Sequence, residues 1–390
     1  MEASASPVES SSRIKDHAVT PLELFFDLVF VLAFTQVTAK LAEDLTWSGV
    51  GRSVLVLGAL WWAWSGYAWL TNAFDPNERL MRLPIFLSMA ALLIVALAVP
   101  QAFGENALQF ALAYFVVRAV HVLIFYWNSS DEPDVRRAIL KLTPTMLIAP
   151  ALIVLSTAFD GWVQAAIFAA ALALDYAGPY IRSDDGWAVM PHHFAERFGL
   201  IVIIALGESI VAIGAGTGEV EITAELAIVA TFGIGVVCAL WWIYFDVVIT
   251  AARMRLESAA PAERVKLARD SYSVMHLFLI LGIIFAALGI KKTLGHYHDP
   301  LKEIPAFTLC IGLALYVATL SAIRRRNIGS FNIPRLFAAA ALVALYPAAR
   351  ELESMYTLAA AFTILLLLIL FESWRYREVR ARIRAAEAQH

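Results

Sequence analysis

The chain has 390 residues, 60% of them hydrophobic and 16% charged, with a mean hydropathy of +0.70 and a net charge of −3. Apolar runs recur along almost its whole length, which excludes an ordinary soluble domain and points to an all-α, polytopic integral membrane protein. The two cysteines, Cys238 and Cys310, both sit inside apolar runs and exclude a disulfide framework and a cysteine metal site.

Residues 1–20 are polar and Ser-rich and lack the apolar core of a cleavable signal. They are expected to form a short disordered cytoplasmic tail, with the first span as an uncleaved insertion signal. About 20 mostly apolar residues cross a bilayer. Twelve segments meet that need: 21–41, 53–73, 83–103, 107–127, 138–158, 161–181, 194–214, 222–247, 271–291, 304–323, 333–349 and 354–374. The fifth and sixth are divided only by Ala158, Phe159 and Asp160, and the eleventh is short. The stretch MRLESAAPAERVKLARD between the eighth and ninth resembles an amphipathic interfacial helix. Residues 375–390 form a basic tail suited to anionic lipid. With the N-terminus inside, 23 of the 30 Lys and Arg fall on the inner side and 6 on the outer, with Arg118 inside a span. A wrong helix number would scramble that bias, so both termini are assigned to the cytoplasm.

The sequence also points to an internal duplication. HFAERFGLIVIIALGES (193–209) aligns with TPLELFFDLVFVLAFTQ (20–36), setting Glu196 on Glu23, and ALWWIY (239–244) repeats ALWWAW (59–64). Each half would hold six spans, residues 21–181 and 182–374. An even number gives the halves the same orientation, a 6+6 parallel repeat.

Ionisable groups inside spans are costly and mark pathways or relays. The candidates for transport or proton relay are Glu23, Asp27, Arg118, His121, Glu196, Arg197, Glu208 and Asp246, with Asp175 and His276 also inside spans. By span direction all but Glu208 fall in the inner half or near the midplane. Glu23, Glu196 and Arg197 can also be read as interfacial charges that snorkel to water. Asp27 lies a turn deeper than Glu23 and is expected to face Arg118 or a watery inner vestibule, or to form a structural ion pair with it. Glu208 has no nearby cation in its helix and is the best single candidate for a proton carrier. Its repeat position is occupied by Thr35, and the two would face each other across a pseudo-twofold axis. Gly199, Gly207 and Gly214 are spaced to let another backbone approach that helix.

Other motifs are weaker. His192 with Glu196 and the run HYHD (296–299) lack metal-site spacing, so no metal is expected. GAGTG (214–218) follows a helix instead of opening one after a strand, so no phosphate loop and no other cofactor is expected. The tryptophans at 61, 62, 64, 69, 241 and 242 are too central for an aromatic belt alone and are expected to pack the bundle core.

TPLELFFDLVFV (20–31), HFAERFGL (193–200) and IIALGES (203–209) resemble the signature segments of the bacterial low-temperature-requirement A family. The resemblance implies a multi-pass inner-membrane protein and supplies no catalytic residues. It makes Glu23, Asp27, Glu196, Arg197 and Glu208 parts of family motifs. An acid-bearing, Phe-rich first helix in each half is also similar to two-repeat potassium channels, although Leu200 stands where a second Asp27 would be.

Three functions compete. The leading one is a gradient-driven, proton-linked secondary transporter of a small solute, with membrane lipid and solute or ion as partners and no nucleic acid. The second is an ion channel built from the same repeat. The third is an intramembrane lipid-modifying enzyme using Asp27, His121 and Asp246, although no motif fixes such chemistry.

Overall fold

The structure, a computed structural model, describes residues 18–77, 79–181, 186–218, 221–378, 380 and 381. Most of the polar N-terminal tail and the end of the basic C-terminal tail lie outside the described residues. Fourteen α-helices account for the described fold, and no strand occurs among these residues. The first six are α1 (Pro21–Glu43), α2 (Trp47–Ala73), α3 (Arg79–Ala98), α4 (Ala107–Asn128), α5 (Pro133–Ser156) and α6 (Gly161–Ile181). Then follow α7 (Pro191–Thr217), α8 (Ala224–Phe245), α9 (Val248–Ser258) and α10 (Pro261–Leu267). A π-helical segment, Ala268–Val274, leads into α11 (Met275–Gly295), and α12 (Glu303–Ile328), α13 (Ile333–Ala349) and α14 (Ser354–Arg375) complete the chain.

Among the described residues, eleven helices or runs of successive helices are long and apolar enough to cross a membrane. The expected eleventh span, 333–349, is α13, whose 17 residues fall short of that length. At 1.5 Å per residue it reaches about 25 Å, less than a typical hydrocarbon core. The doubtful division between the fifth and sixth spans is real: α5 ends at Ser156, and Gly161 turns the chain into α6 with φ +62, a conformation that glycine adopts without strain. Large apolar side chains such as Leu83, Trp162 and Phe337 stand exposed on the outer surface, as lipid contact requires.

The helices pack as two groups. In the first, α1 packs on α2 and α3, then α3 on α4, α4 on α5, α5 on α6, and α6 returns to α2. In the second, α7 packs on α8 and α11, then α11 on α12, α12 on α13, α13 on α14, and α14 returns to α8. The groups meet mainly where α1 lies against α7 and α11. The closest approach is between α11 and α12, where a Cβ at Gly282 would stand 2.7 Å from the Gly312 carbonyl oxygen. Small residues permit such contact, and in lipid that contact is a main source of helix association.

The spacing of Gly199, Gly207 and Gly214 does not mark such a face. A Cβ at Gly207 or Gly214 would meet nothing within 4 Å, while Gly199 alone is packed, against Ile249 and Phe245. The tryptophan expectation also divides. Trp61, Trp62 and Trp64 are buried and Trp69 is half-buried, whereas Trp241 and Trp242 are 45% and 42% exposed and face outward.

Candidate functional site

The first turns of α1 and α7 form one polar network. Thr20 caps α1: its hydroxyl accepts from the Glu23 amide, and Glu23 Oε2 accepts from the Thr20 amide at 2.9 Å, a reciprocal capping box. The other Glu23 oxygen lies 3.0 Å from His193 Nε2 on α7. His193 Nδ1 is 3.1 Å from Asn72 Nδ2, an amide nitrogen that can only donate, so Nδ1 accepts and the Nε2 proton is the one given to Glu23. Asn72 is fixed in turn by Met190, whose amide donates to Asn72 Oδ1 and whose carbonyl accepts from Nδ2, both at 3.0 Å.

One turn deeper, Arg197 grips Asp27 as a fork, Nη1 to Oδ2 at 2.8 Å and Nη2 to Oδ1 at 3.0 Å. Trp64 on α2 donates its indole N–H to Asp27 Oδ1 at 2.8 Å, and Arg197 Nε stands 3.6 Å from Glu23. Asp27 and Arg197 are fully buried and Glu23 nearly so. Two expectations are corrected here. Asp27 faces Arg197, not Arg118, because α1 packs on α7 while α4 lies behind α3. Glu23 and Arg197 are internal partners and do not snorkel to water; of the three acids and bases read as interfacial, only Glu196 keeps an exposed side chain, near His192 and the Val19 amide.

Arg118 belongs to a second network. Its Nη2 donates to both oxygens of Asp175 on α6, each at 3.0 Å, and both side chains are buried. The pair borders a cavity of about 90 Å³ enclosed by α2, α4, α5, α6 and the segment before α11. Its walls carry Trp62, Trp69 and Trp187 beside Arg118, His121 and Asp175. Two polar atoms of these buried side chains make no hydrogen bond, Arg118 Nε and His121 Nδ1. His121 Nε2 lies 2.9 Å from the Gly66 carbonyl, which can only accept, so Nε2 carries the proton and Nδ1 is an acceptor. The two side chains lining the cavity thus each hold a buried, unbonded nitrogen, one a charged donor and one a neutral acceptor. Gly66 keeps the wall open: a Cβ there would stand 2.9 Å from His121 Cε1 and 3.2 Å from Arg118 Nη1.

Glu208 lies apart from both networks, on the α1–α7 seam. Its Oε2 is 2.5 Å from Thr35 Oγ1, which also stands 3.0 Å from the Val31 carbonyl. Lys291 on α11 acts on Glu208 only at longer range. Asp246 lines a different cavity in the second group, where it pairs with Arg380. Asp27, His121 and Asp246 are thus distributed over three separate places, so the acid/base set of an intramembrane enzyme is not assembled.

Several polar groups were not evident from the sequence. Ser273 in the π-helical segment accepts from two tryptophans, Trp61 at its carbonyl (2.6 Å) and Trp69 at its hydroxyl (2.8 Å). His276 accepts or donates between Tyr244 (2.9 Å) and the Ser271 carbonyl (2.8 Å). Such wide helical turns free carbonyls from the regular ladder and occur often at functional sites. Arg335 and Glu372 form a further buried pair at 2.9 Å; both lie near span ends, where charges ordinarily reach water. Among the described residues no group of three His, Cys, Asp or Glu could hold a metal ion.

Among the described residues, eleven helices long and apolar enough to span, buried Arg–carboxylate pairs and a cavity bordered by one such pair define a multi-pass membrane protein with an intramembrane ionisable interior. Residues 18–370 match the model of the bacterial low temperature requirement A protein family, and the chain belongs to that family. It is also similar to an uncharacterized protein of Rhizobium meliloti (strain 1021), 30% identical over 284 residues, covering 70% of this chain and 69% of that one. No solved structure matches.

Proposed function

We propose that the protein is a gradient-driven, proton-linked secondary transporter of a small solute. In this reading it consists of two six-helix repeats, 21–181 and 182–374, in parallel orientation, with both termini in the cytoplasm of a bacterial inner membrane. The matching order of helix neighbours in the two groups supports the repeat. So do reciprocal contacts: Thr35 meets Glu208, its own aligned position, and Glu23 meets His193 much as Val19 meets Glu196. The two cavities also occupy corresponding places, one among α2, α4, α5 and α6 and the other among α8, α12, α13 and α14.

The observation that carries the transport reading is the geometry of Glu208. A hydroxyl has one proton. When Glu208 is ionised, Thr35 donates to it. When Glu208 is protonated, its O–H donates to Thr35 Oγ1, and the Thr35 proton turns to the Val31 carbonyl 3.0 Å away. Both protonation states keep a satisfied hydrogen bond through one hydroxyl rotation, at a seam where the two groups move against each other in alternating access. Solute would enter the cavity beside Arg118 and His121.

The test is reconstitution into liposomes containing a pH-sensitive dye, with imposed gradients of small amino acids, amines, carboxylates and amides. A solute-dependent proton flux is expected from the wild type and from Glu196→Gln, and its loss from Glu208→Gln. Equal flux from wild type and Glu208→Gln would overturn the assignment.

A further inference from the structure

The second cavity is the larger, about 380 Å³, and lies among α8, α9, α12, α13 and α14. Five charged side chains line it: Arg324, Arg335 and Arg380 against Asp246 and Glu372. Two of the cations are matched. Arg335 holds Glu372 through Nε and Nη2, both at 2.9 Å, and Arg380 pairs with Asp246. Glu372 also accepts from Asn332 Nδ2 at 2.7 Å, which completes its bonding. Arg324 is left over. Among the described residues it has no carboxylate partner, and its buried Nε makes no hydrogen bond. Arg335 Nη1 likewise makes no hydrogen bond, in a side chain that lines the cavity. The cavity thus carries an excess of one positive charge and unused guanidinium donors.

Its position narrows the ligand. Ile328, which lines it, stands exposed, as do Phe331 and Ile333 in and after the α12–α13 connection and Phe371 and Trp374 near the end of α14, the helix that supplies Glu372. Such side chains belong in lipid, so the cavity sits at the edge of the apolar belt, at headgroup depth. Arginine forks match the oxygens of a phosphate group, and basic pockets between helices at this level suit anionic headgroups. We propose that this cavity is an anion site for a phosphate group, with Arg324 and Arg335 Nη1 as its donors. The assignment is independent of the transport reading. A phospholipid headgroup and free phosphate share this chemistry.

The test uses the full chain in nanodiscs of phosphatidylcholine, with two arms: inorganic phosphate added to those discs, and discs containing phosphatidylglycerol without phosphate. Thermal unfolding and native mass spectrometry are the readouts. A rise in unfolding temperature is expected in at least one arm for the wild type and for Arg350→Gln, a control at the far end of α13. For Arg324→Gln the half-saturating concentration should rise about tenfold, the loss of one charge-assisted contact. A response confined to phosphatidylglycerol assigns a lipid headgroup; a response to phosphate assigns the free anion. No response in either arm, or an Arg324→Gln response equal to wild type, overturns the site. Should the Gln variant fold poorly, Arg324→Lys serves: weaker retention of the phosphate ligand by native mass spectrometry is expected, and equal retention overturns the site.

Discussion

The molecule holds two buried aspartate–arginine pairs with nearly the same chemistry and different surroundings. Asp27–Arg197 joins the two helix groups across the α1–α7 seam; Trp64 donates to Asp27, and Arg197 Nε, which makes no hydrogen bond, stands 3.6 Å from Glu23. Arg118–Asp175 lies within the first group, and the guanidinium keeps an Nε with no partner beside a cavity. A charge taken out of water is expensive, and only full pairing repays it. At the seam, the unbonded Nε of Arg197 faces a second carboxylate, Glu23, at 3.6 Å. Arg118, by contrast, pairs with Asp175 alone among the described residues, and both side chains line the cavity.

The comparison can be broken by experiment. The largest effect is expected from Arg197→Ala, which leaves buried Asp27 without its cation and removes the charge beside Glu23, and should cost about 3–5 kcal/mol of stability, read by denaturant unfolding in detergent. Replacing both partners sharpens the contrast. Arg118→Met with Asp175→Leu should recover most of the stability lost in either single variant, because an apolar pair can replace a buried ion pair. Arg197→Met with Asp27→Leu should not recover it, since the buried Trp64 N–H then has no acceptor and Glu23 loses the Arg197 charge beside it. Equal rescue at both places would remove the distinction. Next, Gly66→Ala should push a methyl group against His121 and Arg118, at a cost of about 1–3 kcal/mol, and abolish solute-dependent flux while leaving the seam intact.

The smallest effect concerns an ion pair of a third kind, exposed in the loop before α12. His298 bridges Glu353 (3.3 Å) and Glu225 (3.1 Å), and its hydrogen bond to Glu353, then Glu225, holds its pKa above the ordinary histidine value. A raised folded pKa means the tether is complete below the ordinary value and is lost as pH rises through the raised one. Hydrogen exchange at the start of α14 should therefore quicken with pH beyond its intrinsic increase, and His298→Ala should abolish that excess.

The span positions and the chemical oddity of Asp27 and Glu208 were legible along the chain. Hydropathy and loop charge report directly on the solvent each segment meets, so one dimension suffices for them. Even the contact between Thr35 and Glu208 followed from aligning the halves. The partner of Asp27 did not follow. Arg118 and Arg197 are equally plausible by depth, and only the packing of α1 on α7 selects between them. Trp61 and Trp241 show the same limit: identical short motifs, one buried and one facing lipid, because the face of a helix that meets a neighbour is set by the neighbour. The sequence by itself determined that this is a membrane protein, where its helices run and which charges are out of place. The tertiary structure alone decided which charges meet, which cavities stay open and which arginine is left without a partner, since each depends on distances between helices far apart in the chain.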